Sequence, residues 1–136
     1  VYHHTAPVNM NFGIREALRL LSEEGLENSW HRHAANARTL WDGLEKLGLE
    51  LHVEKKLRLP TLTTVKIPEG TDGKAFSLHL LNNYGVEIGG GLGSLSGKVW
   101  RIGLMGYNSN KENVEKVLNL FERELPAFKQ KSSFAA

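Results

Sequence analysis

Gly89-Gly-Gly-Leu-Gly-Ser-Leu-Ser-Gly97-Lys-Val-Trp-Arg101-Ile-Gly-Leu104 joins a glycine-rich loop to a short apolar strand that carries one arginine. Glycine allows positive φ and close approach of a ligand to the backbone, and an arginine fixed in a strand offers a rigid fork of five donors. The pairing points to an anion site and leaves the anion open. Strand parity puts Trp100, Ile102 and Leu104 on one face, the one expected under helices. Arg101 then points the other way, beside Val99 and the bare backbone of Gly103, in a shallow apolar notch. Exposed, it would pair with a surface carboxylate and contribute little; beneath a partner domain, it becomes a desolvated carboxylate clamp.

Two phosphate-binding patterns fail here. A Walker loop needs glycine five residues before Gly-Lys and a hydroxyl residue after it, where this chain has Leu92 and Val99. A dinucleotide fingerprint needs a third glycine where Ser96 stands, and a helix where a strand follows. By spacing alone, the loop reads equally as a flexible connection and as an active-site loop.

Outward from the loop, hydrophobic period assigns the remaining elements. Ile14, Ala17, Leu18 and Leu21 share a helical face that Gly25 interrupts. Leu26, Trp30, His33, Ala37, Leu40, Leu44 and Leu47 form a stripe at steps of four and three, predicting a long packed helix that stops at Gly48. Alternation predicts strands over 49–53 and 63–67. Asp72 is a good N-cap for a helix over 72–83, with Phe76, His79 and Leu80 on its inner side. Short strands over 86–88 and 98–104 flank the loop, and Ser109 with Glu112 reads as a capping box for a closing helix before Pro126. The order α, α, β, β, α, β, β, α predicts an α+β domain: a small, mostly antiparallel sheet covered by helices on one face.

Composition narrows the function classes. The 136 residues suit one core, and 40% hydrophobic content is ordinary for a globular chain. The formal net charge of +2 comes from dispersed lysines and arginines, so no nucleic-acid partner is expected. No apolar run approaches the roughly 20 residues of a bilayer-spanning helix, and no membrane partner is expected. With no cysteine, there is neither a disulfide framework nor a thiolate zinc site. The six histidines contain no i, i+4 pair, so no metal is expected; His33, on the apolar stripe, reads as a hydrogen-bonded core histidine. The opening Val-Tyr-His-His-Thr-Ala-Pro has no initiator methionine and reads as a cut inside a larger protein.

Several motifs in consistent order carry a resemblance. Tyr2-His-His-Thr5-Ala-Pro, Glu16-Ala-Leu, Gly25-Leu-Glu-Asn-Ser-Trp30, Arg58-Leu-Pro-Thr, Gly90-Gly-Leu-Gly, Gly97-Lys-Val, Arg101-Ile-Gly-Leu-Met-Gly and Glu112-Asn-Val span nearly the whole chain. Together they resemble the carboxy-terminal part of the alanine:glyoxylate (serine:pyruvate) aminotransferases, homodimers among the class V, fold-type I enzymes that use pyridoxal 5'-phosphate. The resemblance implies that residues 1–25 are the tail end of the large cofactor domain with the first helix, and residues 26–136 the carboxy-terminal small domain.

It also implies roles. Tyr2 and Thr5 match hydroxyls that bind the cofactor phosphate of the neighbouring subunit, and Arg101 matches the arginine that binds the substrate α-carboxylate. The family's cofactor-bearing lysine precedes the Tyr-His-His-Thr segment, and no lysine here matches its motif, so this piece is expected to be inactive alone. The intact enzyme would pass an amino group from alanine or serine to glyoxylate or pyruvate. It would act on small amino acids and 2-oxo acids, in peroxisomes or mitochondria. Two other readings stay open: a non-catalytic binding or dimerisation module of the same fold, and a class V relative with different substrates. Without its large domain, the piece would expose the apolar surface of its first helices and associate.

Overall fold

A computed structural model describes residues 3–129. The chain builds α1 (Val8–Glu24), α2 (Leu26–Lys46), β1 (Leu62–Lys66), α3 (Gly73–Tyr84), β2 (Gly89–Gly90), β3 (Val99–Gly103) and α4 (Lys111–Glu124), linked by short 3-10 turns. The three strands form one antiparallel sheet in the order β1-β3-β2. The expected α+β architecture is therefore observed, with β3, the strand of Arg101, in the centre.

The core lies between the sheet and α2, α3 and α4. Leu40 and Leu44 of α2, Phe76 and Leu80 of α3, and Val114, Val117, Leu120 and Phe121 of α4 bury against Val65, Trp100 and Ile102 of the sheet. Its centre is aromatic: the Phe76 ring lies 5.2 Å from Trp100 and 5.1 Å from Phe121, in tilted and edge-on geometries. Trp100 also donates its indole N–H to the carbonyl of Gly73 at 2.9 Å, which ties β3 to the start of α3. Trp100, Ile102 and Leu104 are all buried, as strand parity predicts.

Several elements depart from the sequence reading. Residues 49–53 form no named strand. Leu51 makes an isolated bridge to Val65, flanked by His52 N–H to Thr64 O at 2.9 Å and Lys66 N–H to Glu50 O at 2.8 Å, before the chain leaves in the turn Lys55–Leu57. The strand expected at 86–88 begins later, at Gly89, because Val86 is engaged in ending α3. Gly85 adopts φ +62°, its N–H bonds Leu81 O, and Val86 N–H bonds Leu80 O. Asn110, not Ser109, caps α4 by accepting from Asn113 N–H at 2.8 Å, while Ser109 is fully buried against α2.

The long apolar stripe of α2 is buried only in its second half. Ala37, Leu40 and Leu44 are inside, whereas Leu26 and Trp30 are exposed. No residue of α1 is buried, and Met10, Phe12, Ile14, Leu18 and Leu20 are each more than half exposed. Gly25, at φ 85° and ψ 135°, breaks the helical path between α1 and α2. Among the described residues, no helix is long and apolar enough to cross a membrane.

Candidate functional site

The candidate site is built on β3. In register, Arg101 stands between Thr64 of β1 and Gly89 of β2, so both cross-strand neighbours are small. Its Nε–H donates to the carbonyl of Gly90 at 2.7 Å, and the guanidinium lies over Gly89. A Cβ on Gly89 would come within 3.3 Å of Nη2, 3.6 Å of Nε and 3.7 Å of Cζ, so glycine leaves the fork room to lie flat. One edge of the guanidinium is thereby fixed to backbone, and its terminal nitrogens have no protein acceptor among the described residues.

Half-burial without an ion-pair partner among the described residues separates Arg101 from the other arginines. Arg19, Arg32, Arg58 and Arg123 each pair with a glutamate. Arg15 and Arg38 make no ion pair among the described residues, but both are exposed on helices. Arg101 is half-buried and has no carboxylate within ion-pairing distance among the described residues. A half-buried guanidinium whose free edge faces outward is suited to a bidentate carboxylate or phosphate.

The glycine loop closes over the strand. Gly91 N–H bonds Val99 O at 3.0 Å, and a Cβ on Gly91 would sit 1.9 Å from the Leu95 carbonyl oxygen. The single 3-10 turn Gly93–Leu95 returns the chain, with Gly93 at φ +55° and Gly97 at φ +71°. Val99, expected beside Arg101 in an open notch, is instead buried, because the loop covers it. The loop also borders an open groove of about 380 Å³ with Ile67, Lys74, Ser77 and Leu78.

The other expected site residues lie apart. Thr5 is exposed in the segment leading into α1, lines a shallow groove with Pro7 and Met10, and makes no hydrogen bond among the described residues. Tyr2 lies outside the described residues. His33 is half-buried and bonded through both ring nitrogens, to Ser29 O at 2.7 Å and Gly106 N–H at 3.0 Å.

Two polar clusters were not read from the sequence. Arg32 bridges Glu24 to the carbonyls of Gly106 and Ser109, and its guanidinium holds the Glu24 carboxyl below the ordinary carboxylate range. The spacing of Ser29, Arg32, His33 and Asn36 along one helical face was the available signal. Between α3 and α4, Glu124 accepts from Arg123, Tyr84 and His79, which pull its carboxyl down to about 2. No sequence spacing signals that cluster, since its members come from separate helices.

Comparison with known proteins gives the family of this small α+β domain. Residues 1–117 match the family described as aminotransferase class-V, and the chain belongs to that family. It is 49% identical over 126 residues to an alanine--glyoxylate aminotransferase of Callithrix jacchus, covering 92% of this chain and 30% of that protein. The solved alanine--glyoxylate aminotransferase of Nostoc sp. superposes with a TM-score of 0.85 at 60% identity, over 90% of this chain and 32% of that one. The ureidoglycine-glyoxylate aminotransferase of Bacillus subtilis does so with a TM-score of 0.88 at 41% identity, over 93% and 33%. The chain thus spans about a third of the length of these relatives.

Proposed function

We propose that this chain is the carboxy-terminal portion of a homodimeric, pyridoxal 5'-phosphate-dependent aminotransferase that moves an amino group from alanine or serine to glyoxylate or pyruvate. Its observation is Arg101: a half-buried guanidinium, fixed by Gly90 and Gly89, with no carboxylate partner among the described residues. In this reading, its free edge takes the α-carboxylate of the amino acid as a bidentate pair and orients the α-carbon. The exposed, unbonded hydroxyl of Thr5 suits a phosphate oxygen, and Thr5 with Tyr2 would hold the cofactor phosphate of the neighbouring subunit. When bound, the cofactor supplies the electron sink for the bond broken at the α-carbon.

The domain division follows the same reading: residues 1–25 end the large domain, and residues 26–136 form the small domain. The unburied α1 and the exposed Trp30 and Leu26 support it, since they offer apolar surface for the rest of the protein and a second subunit to cover. The chain alone would be inactive, and the whole enzyme would reside in peroxisomes or, alternatively, mitochondria. The likeness to an enzyme named for ureidoglycine supports a second reading, a class V enzyme with another amino donor.

The test is transamination of alanine with glyoxylate by the full-length protein, with the 136-residue chain as control. Arg101→Ala is expected to lower kcat/KM by roughly 100-fold or more, the cost of losing one side of a desolvated charge pair, while cofactor absorbance stays. Activity with another donor but not alanine would select the second reading. Absence of both activity and cofactor absorbance would leave a binding or dimerisation module.

A further inference from the structure

On α2, Arg32, His33 and Asn36 all reach the turn between β3 and α4. Arg32 donates to Gly106 O at 2.9 Å and Ser109 O at 2.6 Å, and Asn36 donates to the Ser109 hydroxyl at 3.3 Å. His33 receives the Gly106 N–H on Nε2 at 3.0 Å, while its Nδ1 lies 2.7 Å from Ser29 O. A carbonyl can only accept and a backbone N–H can only donate, so this arrangement requires one protonation state: a proton on Nδ1 and a bare Nε2. The imidazolium carries N–H at both positions and would set a donor against a donor. Gly106 sits at φ +56°, so the turn is already in a conformation that other residues rarely adopt.

We propose that His33 is a proton-sensitive latch: neutral, it pins the Gly106 turn to α2, and protonated, it lets go of the Gly106 amide. Two charged groups flank it. The Arg32 guanidinium, from α2 itself, opposes a second positive charge, and the Glu24 carboxylate, at the end of α1, favours one. Glu24 is itself paired with Arg32 and stays ionised across the range in which imidazoles titrate, so it does not switch. The turn contributes the phenol of Tyr107, which is 94% exposed, and no charged side chain. Met105 and Tyr107, both exposed, stand on either side of Gly106 and move with it, so the latch alters the surface the turn presents. The inference does not depend on the role given to Arg101.

Hydrogen exchange on the full-length protein tests it. Between pH 8 and pH 5, protection of the segment 104–110, corrected for the intrinsic rate, is expected to fall roughly ten-fold, while the α4 segment 114–121 holds steady. His33→Gln places an amide oxygen at the reach of Nε2 without a titrating group, so protection should stay high and independent of pH. His33→Asn is too short to receive the Gly106 N–H, so protection should be low at both pH values. Should His33→Asn unfold the protein, seen as lost protection in 114–121, the His33→Gln comparison decides alone. A wild type without the pH effect, or a His33→Gln protein that keeps it, overturns the latch.

Discussion

Replacing Gly91 with alanine tests whether the glycine loop is held by contact or merely by flexible residues. The new Cβ would stand 1.9 Å from the Leu95 carbonyl oxygen, 2.5 Å from its carbon and 2.9 Å from Val99 Cγ2. Approaches below 3.0 Å force a shift, so the Leu95 carbonyl must retreat by at least about 1 Å. That retreat breaks the bond from Lys98 N–H to Leu95 O and strains the one from Gly91 N–H to Val99 O, each 3.0 Å long. At about 1 kcal/mol per hydrogen bond, with overpacking strain of about 1–3 kcal/mol, the cost is about 3 kcal/mol. Gly93→Ala is the control, since a Cβ there meets nothing within 4 Å but must adopt φ +55°, which costs about 1 kcal/mol. Urea unfolding of both variants, followed by tryptophan fluorescence, should rank Gly91→Ala well below Gly93→Ala in stability. Equal stabilities, or a Gly91→Ala protein as stable as wild type, would refute the packing argument. Arg101 Nε–H donates to the neighbouring Gly90 carbonyl, so under the role proposed for Arg101, Gly91→Ala should also weaken binding of carboxylate ligands.

Phe76→Ala, at the fully buried centre of the aromatic cluster, is expected to cost about 3–5 kcal/mol, and Phe76→Leu less than half of that, measured by the same unfolding curves. Acid should weaken the packing of α3 on α4. The Glu124 carboxyl titrates near 2 in the folded chain against an ordinary value of 4.5, so its contribution is present above pH 4.5 and lost as pH falls toward 2. Glu124→Gln should flatten that part of the stability profile, recorded as urea midpoints at pH 7, 4 and 3.

Elements with long apolar stripes or strict alternation were legible in the sequence. The four helices and the central strand stand where period and parity put them, and Trp100, Ile102 and Leu104 face the core. The misreadings fall where tertiary demand outweighs local pattern. Leu51 alternates as a strand residue should, yet only one bridge forms before the chain turns away. Ser109 has the residue type of a cap, but α2 claims it for a buried hydrogen bond and the cap passes to Asn110. For the site, parity isolated Arg101 but could not show that its ion-pair partner is missing among the described residues, because that depends on where every glutamate ends up. Nor could spacing show the loop lying over Val99, which follows from a single missing Cβ at Gly91.

The absence of any buried residue in α1 separates two free energies that most domains mix. Seventeen residues of helix without a core of their own are marginal in water, so α1 draws its persistence from whatever it rests upon. In the enzyme proposed above, substitutions along its apolar side should therefore change how strongly the domain docks while leaving the melting of α2, α3, α4 and the sheet almost untouched. Under that proposal, the affinity of assembly and the durability of the fold are tunable on different residues.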